Sequence, residues 1–303
     1  MRAFECFYMA LAAASVTAED LQLPPAFGDF KLVEHCAASL GTSDKKLLEE
    51  YGLRVCAGAK YTNARHQPME VGGCRFENSL SAHAAFLALR PNQGVSPMIW
   101  KIEAVTGSGS TVLEYKNYVF RFAGALPTVS SALEDTLAKL PHLTMDEKPW
   151  DLSGRYLDAG STRMILGPVS LARFAEQIPP SVVAFRLGAI GRFGSFETPA
   201  GRITTIVFEY PSEAIANEQL SAIQGLQKTS ARRDRTCVGV ILTPPDAAAG
   251  DSFADHFCGP VTVEFDDAFD LDGGMTLDGG IWWVMATGVL GAVFALVRSM
   301  KGR

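Results

Sequence analysis

MEVGGCRFENSLSAHAAFLALR, Met69 to Arg90, lies on ITTIVFEYPSEAIANEQLSAIQ, Ile203 to Gln224, without a gap and at a constant offset of 134 residues. Identities are few, Ala82 with Ala216 and Ala88 with Ala222. Matches of type are better: Met69 with Ile203, Cys74 with Phe208, Phe76 with Tyr210, Phe86 with Leu220 and Leu89 with Ile223. These pairs mark the same strand face and the same helical stripe in the two stretches. The pattern is a degenerate duplication.

Each copy extends outward from this stretch. In the first, Leu53–Thr62 reads as a strand, Asn63–Pro68 as a turn, Met69–Glu77 as the partner strand and Leu80–Leu89 as a helix, with Asn78 or Ser79 as its cap. In the second, Ile190–Thr198 is a strand, Pro199 to Gly201 a turn, Arg202–Tyr210 the partner and Glu213–Gln224 the helix, with Ser212 as cap. A strand follows each helix, Tyr118–Phe122 and Cys237–Leu242. Pro127 and Pro245 then open helices over Thr128–Leu140 and Asp246–Phe257, since a first helical turn has no use for the missing N–H. The first copy carries extra strands at Met98–Val105 and Thr111–Tyr115, joined by Gly107-Ser108-Gly109-Ser110. The polar stretch Met145–Ser153 is the hinge. Hairpins alternating with helices imply an α+β fold: two hairpin-helix-strand-helix repeats forming antiparallel sheet, one continuous or two packed, with helices on one face.

The ends of the chain speak of place. Arg2, the apolar Phe7–Ala14 and the small residues Val16-Thr17-Ala18 form a secretory signal over residues 1–18, with Glu5 as a defect in it. Gly280–Val297 is apolar over 18 residues, roughly 27 Å as a helix, close to the hydrocarbon thickness of a bilayer. Trp282 and Trp283 mark one end, Arg298, Lys301 and Arg303 the other. By the positive-inside rule the tail 298–303 is cytoplasmic and the body lies outside. The expected order is signal 1–18, first repeat 19–148, second repeat 149–265, acidic linker 266–279, transmembrane helix 280–297 and cytoplasmic tail. The expected location is a bacterial cytoplasmic membrane, crossed once. Within the helix, Gly288 and Ala292, then Gly291 and Ala295, are small residues four apart, a spacing that lets two helices approach closely.

Composition bounds the rest. With 48% apolar and 20% charged residues the chain can bury a core, and a formal charge of −6 argues against a nucleic-acid partner. The densest basic patch, Arg232, Arg233 and Arg235, reads as a solvated loop. No two of His35, His66, His83, His142 and His256 stand three or four apart, so no helix offers a histidine pair to a metal, and each reads as a surface or capping residue. Gly188–Gly194 leads into a strand, which removes the helix N-terminus a dinucleotide needs. Asp266, Asp267, Asp270 and Asp272 lack the spacing and closing glutamate of an EF-hand and read as a spacer. No catalytic residue, metal ligand or cofactor site follows from these patterns.

Five cysteines remain after the signal, Cys36, Cys56, Cys74, Cys237 and Cys258, so one is left over if the others pair. Small buried apolar cysteines are the competing reading. Cys56 and Cys74 are each nine residues from Arg65, so a hairpin turn centred there sets them opposite one another. The second copy's turn suggests a centre one or two residues later, and Gly72-Gly73 can add a bulge. Cys237 with Cys258 is the second candidate pair.

Several stretches carry a resemblance: Leu23-Pro24-Pro25-Ala26-Phe27, Glu50-Tyr51-Gly52, Cys74–Leu89, Tyr156–Pro168 (YLDAGSTRMILGP) and Phe193–Tyr210 (FGSFETPAGRITTIVFEY). The chain resembles, over about Leu21 to Phe257, an uncharacterised family of exported, membrane-tethered bacterial proteins found mostly in acidobacteria. The acidic linker and short anchor depart from that pattern. The resemblance implies export, tethering and duplication, and supplies no activity. The expected function is a membrane-tethered extracytoplasmic module, non-catalytic, that binds a protein or envelope component or associates with itself. The alternative is an exported hydrolase with a carboxylate site between the repeats.

Overall fold

A computed structural model describes residues 21–38, 40, 44–92, 94, 103–126, 130–140, 152, 157–198, 201–226, 230–242 and 258. The expected signal, the hinge Met145–Ser153 (apart from Leu152), the helix Asp246–Phe257, the acidic linker, the anchor Gly280–Val297 with Gly288, Gly291, Ala292 and Ala295, and the tail lie outside these residues. Among the described residues no helix is long and apolar enough to cross a membrane.

The chain is α+β, with two antiparallel sheets. The first holds β1 (Ala26–Phe27), β2 (Phe30–Cys36), β3 (Leu53–Thr62), β4 (Pro68–Phe76), β5 (Ala104–Gly107), β6 (Ser110–Tyr115) and β7 (Tyr118–Gly124), in the order β1-β2-β3-β4-β7-β6-β5. The second holds β8 (Leu157–Ile165), β9 (Ile190–Thr198), β10 (Gly201–Glu209), β11 (Ser230–Asp234) and β12 (Cys237–Ile241), in the order β8-β9-β10-β12-β11. Helices α1 (Lys45–Glu50), α2 (Ser79–Leu89), α3 (Ser130–Leu137), α4 (Pro168–Phe174) and α5 (Glu213–Gln224) complete the described architecture, with short 3-10 turns at Pro180–Val182 and Phe185–Leu187.

Placed side by side, the sheets repeat one plan. Strand, short helix, hairpin, helix, hairpin runs as β2-α1-β3-β4-α2-β6-β7 and again as β8-α4-β9-β10-α5-β11-β12. Both copies put the hairpin strands in the same lateral order. The shared order of elements therefore takes in β2, α1, β8, α4 and β11, none of which the periodicity revealed. It also corrects the expectation of two extra strands in the first copy. β6 has its counterpart in β11, and of those two strands β5 alone has none among the described residues. The patch Arg232-Arg233 expected in a loop is part of that strand. It forms the sheet's edge, where charge guards unpaired backbone groups against another strand.

The first sheet is covered on both faces, not on one as expected. Alternation along β7 decides this: Phe120 and Phe122 join Tyr61, Val71, Leu133 and Leu137 in one core, whereas Val119 joins Cys74, Phe76 and Phe86 in another. α3 lies on the former side and α2 on the latter. Buried from Ser81 through Leu87, α2 has no exposed stripe at its centre. A helix apolar all round must be enclosed. Contacts with β4, β6 and β7 below and with β8 of the second sheet above enclose it.

A joint built by residues 44–51 ties the two copies. Gly167, the residue before α4, has no side chain to cap that helix, and Glu50 does so from the other copy. Its carboxylate accepts from Val169 N–H at 2.5 Å and Ser170 N–H at 2.8 Å. A Cβ at position 167 would stand 2.5 Å from Glu50 Oε2, so a larger residue there would push the capping carboxylate aside. Beside it the buried Tyr51 hydroxyl donates to Met164 O at 2.9 Å, and Arg173 pairs with Asp44 at 2.7 Å. Arg90, just past α2, donates to Ala159 O and Thr162 Oγ1, and Arg163 donates to Asn92 Oδ1.

Candidate functional site

Cysteine geometry follows from the hairpin. β3 and β4 pair symmetrically about Arg65, Thr62 with Pro68 through to Cys56 with Cys74. No bulge intervenes at Gly72-Gly73, which face Gly58 and Ala57 in register; the irregularity falls instead between Leu53 and Val55. The Cys56 and Cys74 Cα atoms are 4.1 Å apart and the sulfurs at disulfide distance, 1.96 Å. Cys237, at the start of β12, and Cys258 also lie at disulfide distance, with Cα atoms 5.4 Å apart. Cys258 N–H donates to Asp234 Oδ2 at 3.0 Å, which anchors that residue against the β11–β12 hairpin. Cys36 belongs to neither pair.

A cleft of about 510 Å3 opens between α1 and the first half of β3. Leu40, Leu48 and Leu53 give it apolar walls, Lys45, Glu49 and Arg54 a charged mouth, and the Cys56–Cys74 pair part of its floor. Lys45 and Glu49 pair with one another at 3.4 Å, and Arg54 pairs with Glu77 at 2.9 Å. The charges of the mouth thus neutralise each other. The arrangement suits contact with a surface more than proton transfer.

The described residues bring one histidine together with carboxylates, at a place the sequence reading missed. His83, expected at the surface or at a cap, is fully buried in the middle of α2. The reason is the enclosure of that helix: no face of its centre reaches solvent, so the polar residue is carried inside. Its Nδ1–H donates to Glu114 Oε2 at 2.7 Å, the carboxylate side chain being 10% exposed. Glu103 supplies a third group. The ligand atoms of His83, Glu103 and Glu114 all lie within 4.8 Å of one another.

The β5–β6 hairpin positions the two glutamates. Ser108 and Gly109 both take positive φ, 50° and 76°, as a two-residue turn demands, and Gly107 pairs with Ser110. The ladder continues outward, with Glu114 N–H donating to Glu103 O at 3.0 Å, so the glutamates are direct cross-strand neighbours. The pairing of the glutamates was legible, since each stands at the same distance from the Ser108-Gly109 turn. Two like charges set opposite one another across a strand pair destabilise a sheet unless a positive partner compensates.

Elsewhere burial dominates the titratable groups. It pushes the hydroxyls of Tyr51, Tyr61 and Tyr210 well up, with the Glu50 carboxylate adding to the effect at Tyr51. Burial, then the neighbouring Arg90, lowers Arg163 to about 10, so it stays charged at neutral pH. No protein-family model matches the chain, and no curated protein or solved structure does either.

Proposed function

We propose that the chain is an exported, membrane-tethered module that binds a protein or envelope component outside the cytoplasm, without transforming it. The observation that carries this reading is the presence of two cysteine pairs at disulfide distance in separate sheets. Thiols so placed oxidise in an extracytoplasmic compartment and rarely persist as disulfides in the cytosol. The termini support the same direction, through a signal over residues 1–18 and an anchor over 280–297. The α1–β3 cleft, with apolar walls and a self-neutralised rim, supports binding over catalysis.

Peptide mapping of the full chain, isolated from membranes and alkylated before reduction, tests the proposal. Linked peptides carrying Cys56 with Cys74 and Cys237 with Cys258 are expected. Alkylation of all five cysteines without reductant would overturn the compartment, and with it the function. Protease added outside intact spheroplasts is expected to remove the body and leave a short membrane fragment.

A second reading, an exported hydrolase, has one observation in its favour: His83 and two carboxylates converge. Its expected place was between the repeats, whereas all three residues belong to the first. Loss of a hydrolytic activity in Glu114→Gln, with the fold intact by circular dichroism, would establish it.

A further inference from the structure

We infer that His83, Glu103 and Glu114 form a binding site for a divalent transition-metal ion, with Zn2+ its best-suited occupant. Two elements deliver the donors: α2 the imidazole, and the β5–β6 hairpin both carboxylates, Glu114 on β6 and Glu103 just before β5. Their ligand atoms already lie within 4.8 Å of one another, a separation that one ion bridges with a modest closing of side chains. One imidazole nitrogen with two carboxylate oxygens is a donor set of intermediate hardness. It suits zinc better than calcium, which takes oxygen alone, or copper(I), which takes sulfur.

Charge points the same way. The cross-strand glutamates bring two negative charges to one spot beside a buried imidazole. An ion seated there compensates both and takes the place of the proton between Nδ1 and Glu114, which moves to Nε2 of the neutral ring. Access is built in, because His83 is sealed and Glu114 nearly so, while Glu103 is exposed. The ion enters from the Glu103 side and keeps water on its remaining positions.

The second copy is an internal control. At the offset of the duplication His83 corresponds to Asn217, on the helix α5. Counting back from the equivalent β6–β7 and β11–β12 turns, Glu114 corresponds to Arg233, which pairs with Glu213 at 3.5 Å. Glu103 has no counterpart among the described residues, where the second sheet ends at β11. Among those residues the three donors are therefore particular to the first sheet and its helix α2, with both carboxylates on the hairpin that carries the additional strand.

The test is calorimetric titration of the metal-stripped full chain with Zn2+ alone. One equivalent should bind. Glu103→Gln, an exposed change that leaves the core untouched, should weaken binding by about tenfold or more, on the scale seen when groups that support a metal are removed. His83→Asn should abolish binding; Glu103→Gln decides the matter should that buried change unfold the chain. His35→Ala, at an exposed histidine on β2, should bind as the parent does. Absence of binding by the parent, unchanged affinity in Glu103→Gln, or loss of binding in His35→Ala would each overturn the inference.

Discussion

Helices α2 and α5 descend from one pattern and live in opposite environments. Both follow an equivalent hairpin, and both begin at an equivalent cap, Asn78 accepting from Ser81 N–H and Ser212 from Ile215 N–H. From there they diverge. α2 is buried from Ser81 to Leu87, whereas α5 buries only Ala216, Gln219 and Ile223 and turns Glu213, Asn217 and Glu218 outward. The difference lies in what covers them. β8 lies over α2, whereas α5 packs on its own β11 and β12. The shared hairpin-helix order sets the local structure, and what packs over each helix sets its environment.

The sharpest way to break this comparison is to truncate equivalent residues. Phe86→Ala removes a ring at 0% exposure and is expected to cost about 3–5 kcal/mol, against roughly 1–2 kcal/mol for Leu220→Ala on the half-exposed helix. Urea unfolding of both variants measures this, and equal losses would remove the asymmetry.

The joint should respond next. Glu50→Ala uncaps α4 from the opposite copy and strips a charged acceptor from two N–H groups, which is expected to cost about 2 kcal/mol. Combined with Arg173→Ala in a double-mutant cycle, it should show coupling, because Asp44 and Glu50 hold α4 from the same short helix. Strict additivity would mean that the copies are not joined there.

The caps offer a smaller effect and the opposite expectation. Asn78→Ala and Ser212→Ala should each cost about 1 kcal/mol, since a cap satisfies the same N–H group whether its helix is buried or open. A loss several times larger at Asn78 would show that enclosure reaches the helix terminus.

Alkaline titration gives the finest discrimination. Tyr51, Tyr61 and Tyr210 have folded pKa values raised by burial above the ordinary value of 10.0. Their contribution to stability is complete below pH 10 and declines as pH climbs beyond it. Arg163 acts oppositely: its folded value of about 10 lies below 12.5, so it adds stability as pH rises between the two. Burial raises Tyr115 as well, so four hydroxyls stand against one guanidinium and net stability should fall. Phenolate absorbance should show Tyr51, Tyr61 and Tyr210 ionising only as circular dichroism reports unfolding, and Tyr51→Phe should make the fall shallower. Ionisation of all seven tyrosines near pH 10 in a folded chain would contradict the burial.

Legibility of this fold tracked periodicity. β3, β4 and α2, with β9, β10 and α5, are long enough to carry a pattern, and the Arg65-centred register held to the residue. What escaped was short or polar. α1 is KKLLEE, six residues with one apolar pair, and β11 is SARRD, whose charges belong to an edge strand yet read as a loop. β2 is mostly exposed and so lacks a clean alternation. The His83 cluster escaped for another reason. Burial of α2 on its far side depends on β8, and no local feature of SLSAHAAFLAL tells which face a distant strand will cover. The glutamates could have been placed opposite one another from the Ser108-Gly109 turn, but not beneath the imidazole.

The enclosure of α2 also orders events in time. Synthesis delivers the first copy before the second, and during that interval an apolar helix has only one sheet to lie on while α4, still unmade, leaves Glu50 without its N–H partners. The emerging half-chain therefore presents a sticky surface that its own later residues must cover, the situation in which partly made proteins aggregate or recruit a chaperone. Cutting the protein at the boundary between its copies should yield an insoluble first half, and supplying the second half separately should rescue it only when both are present as they fold.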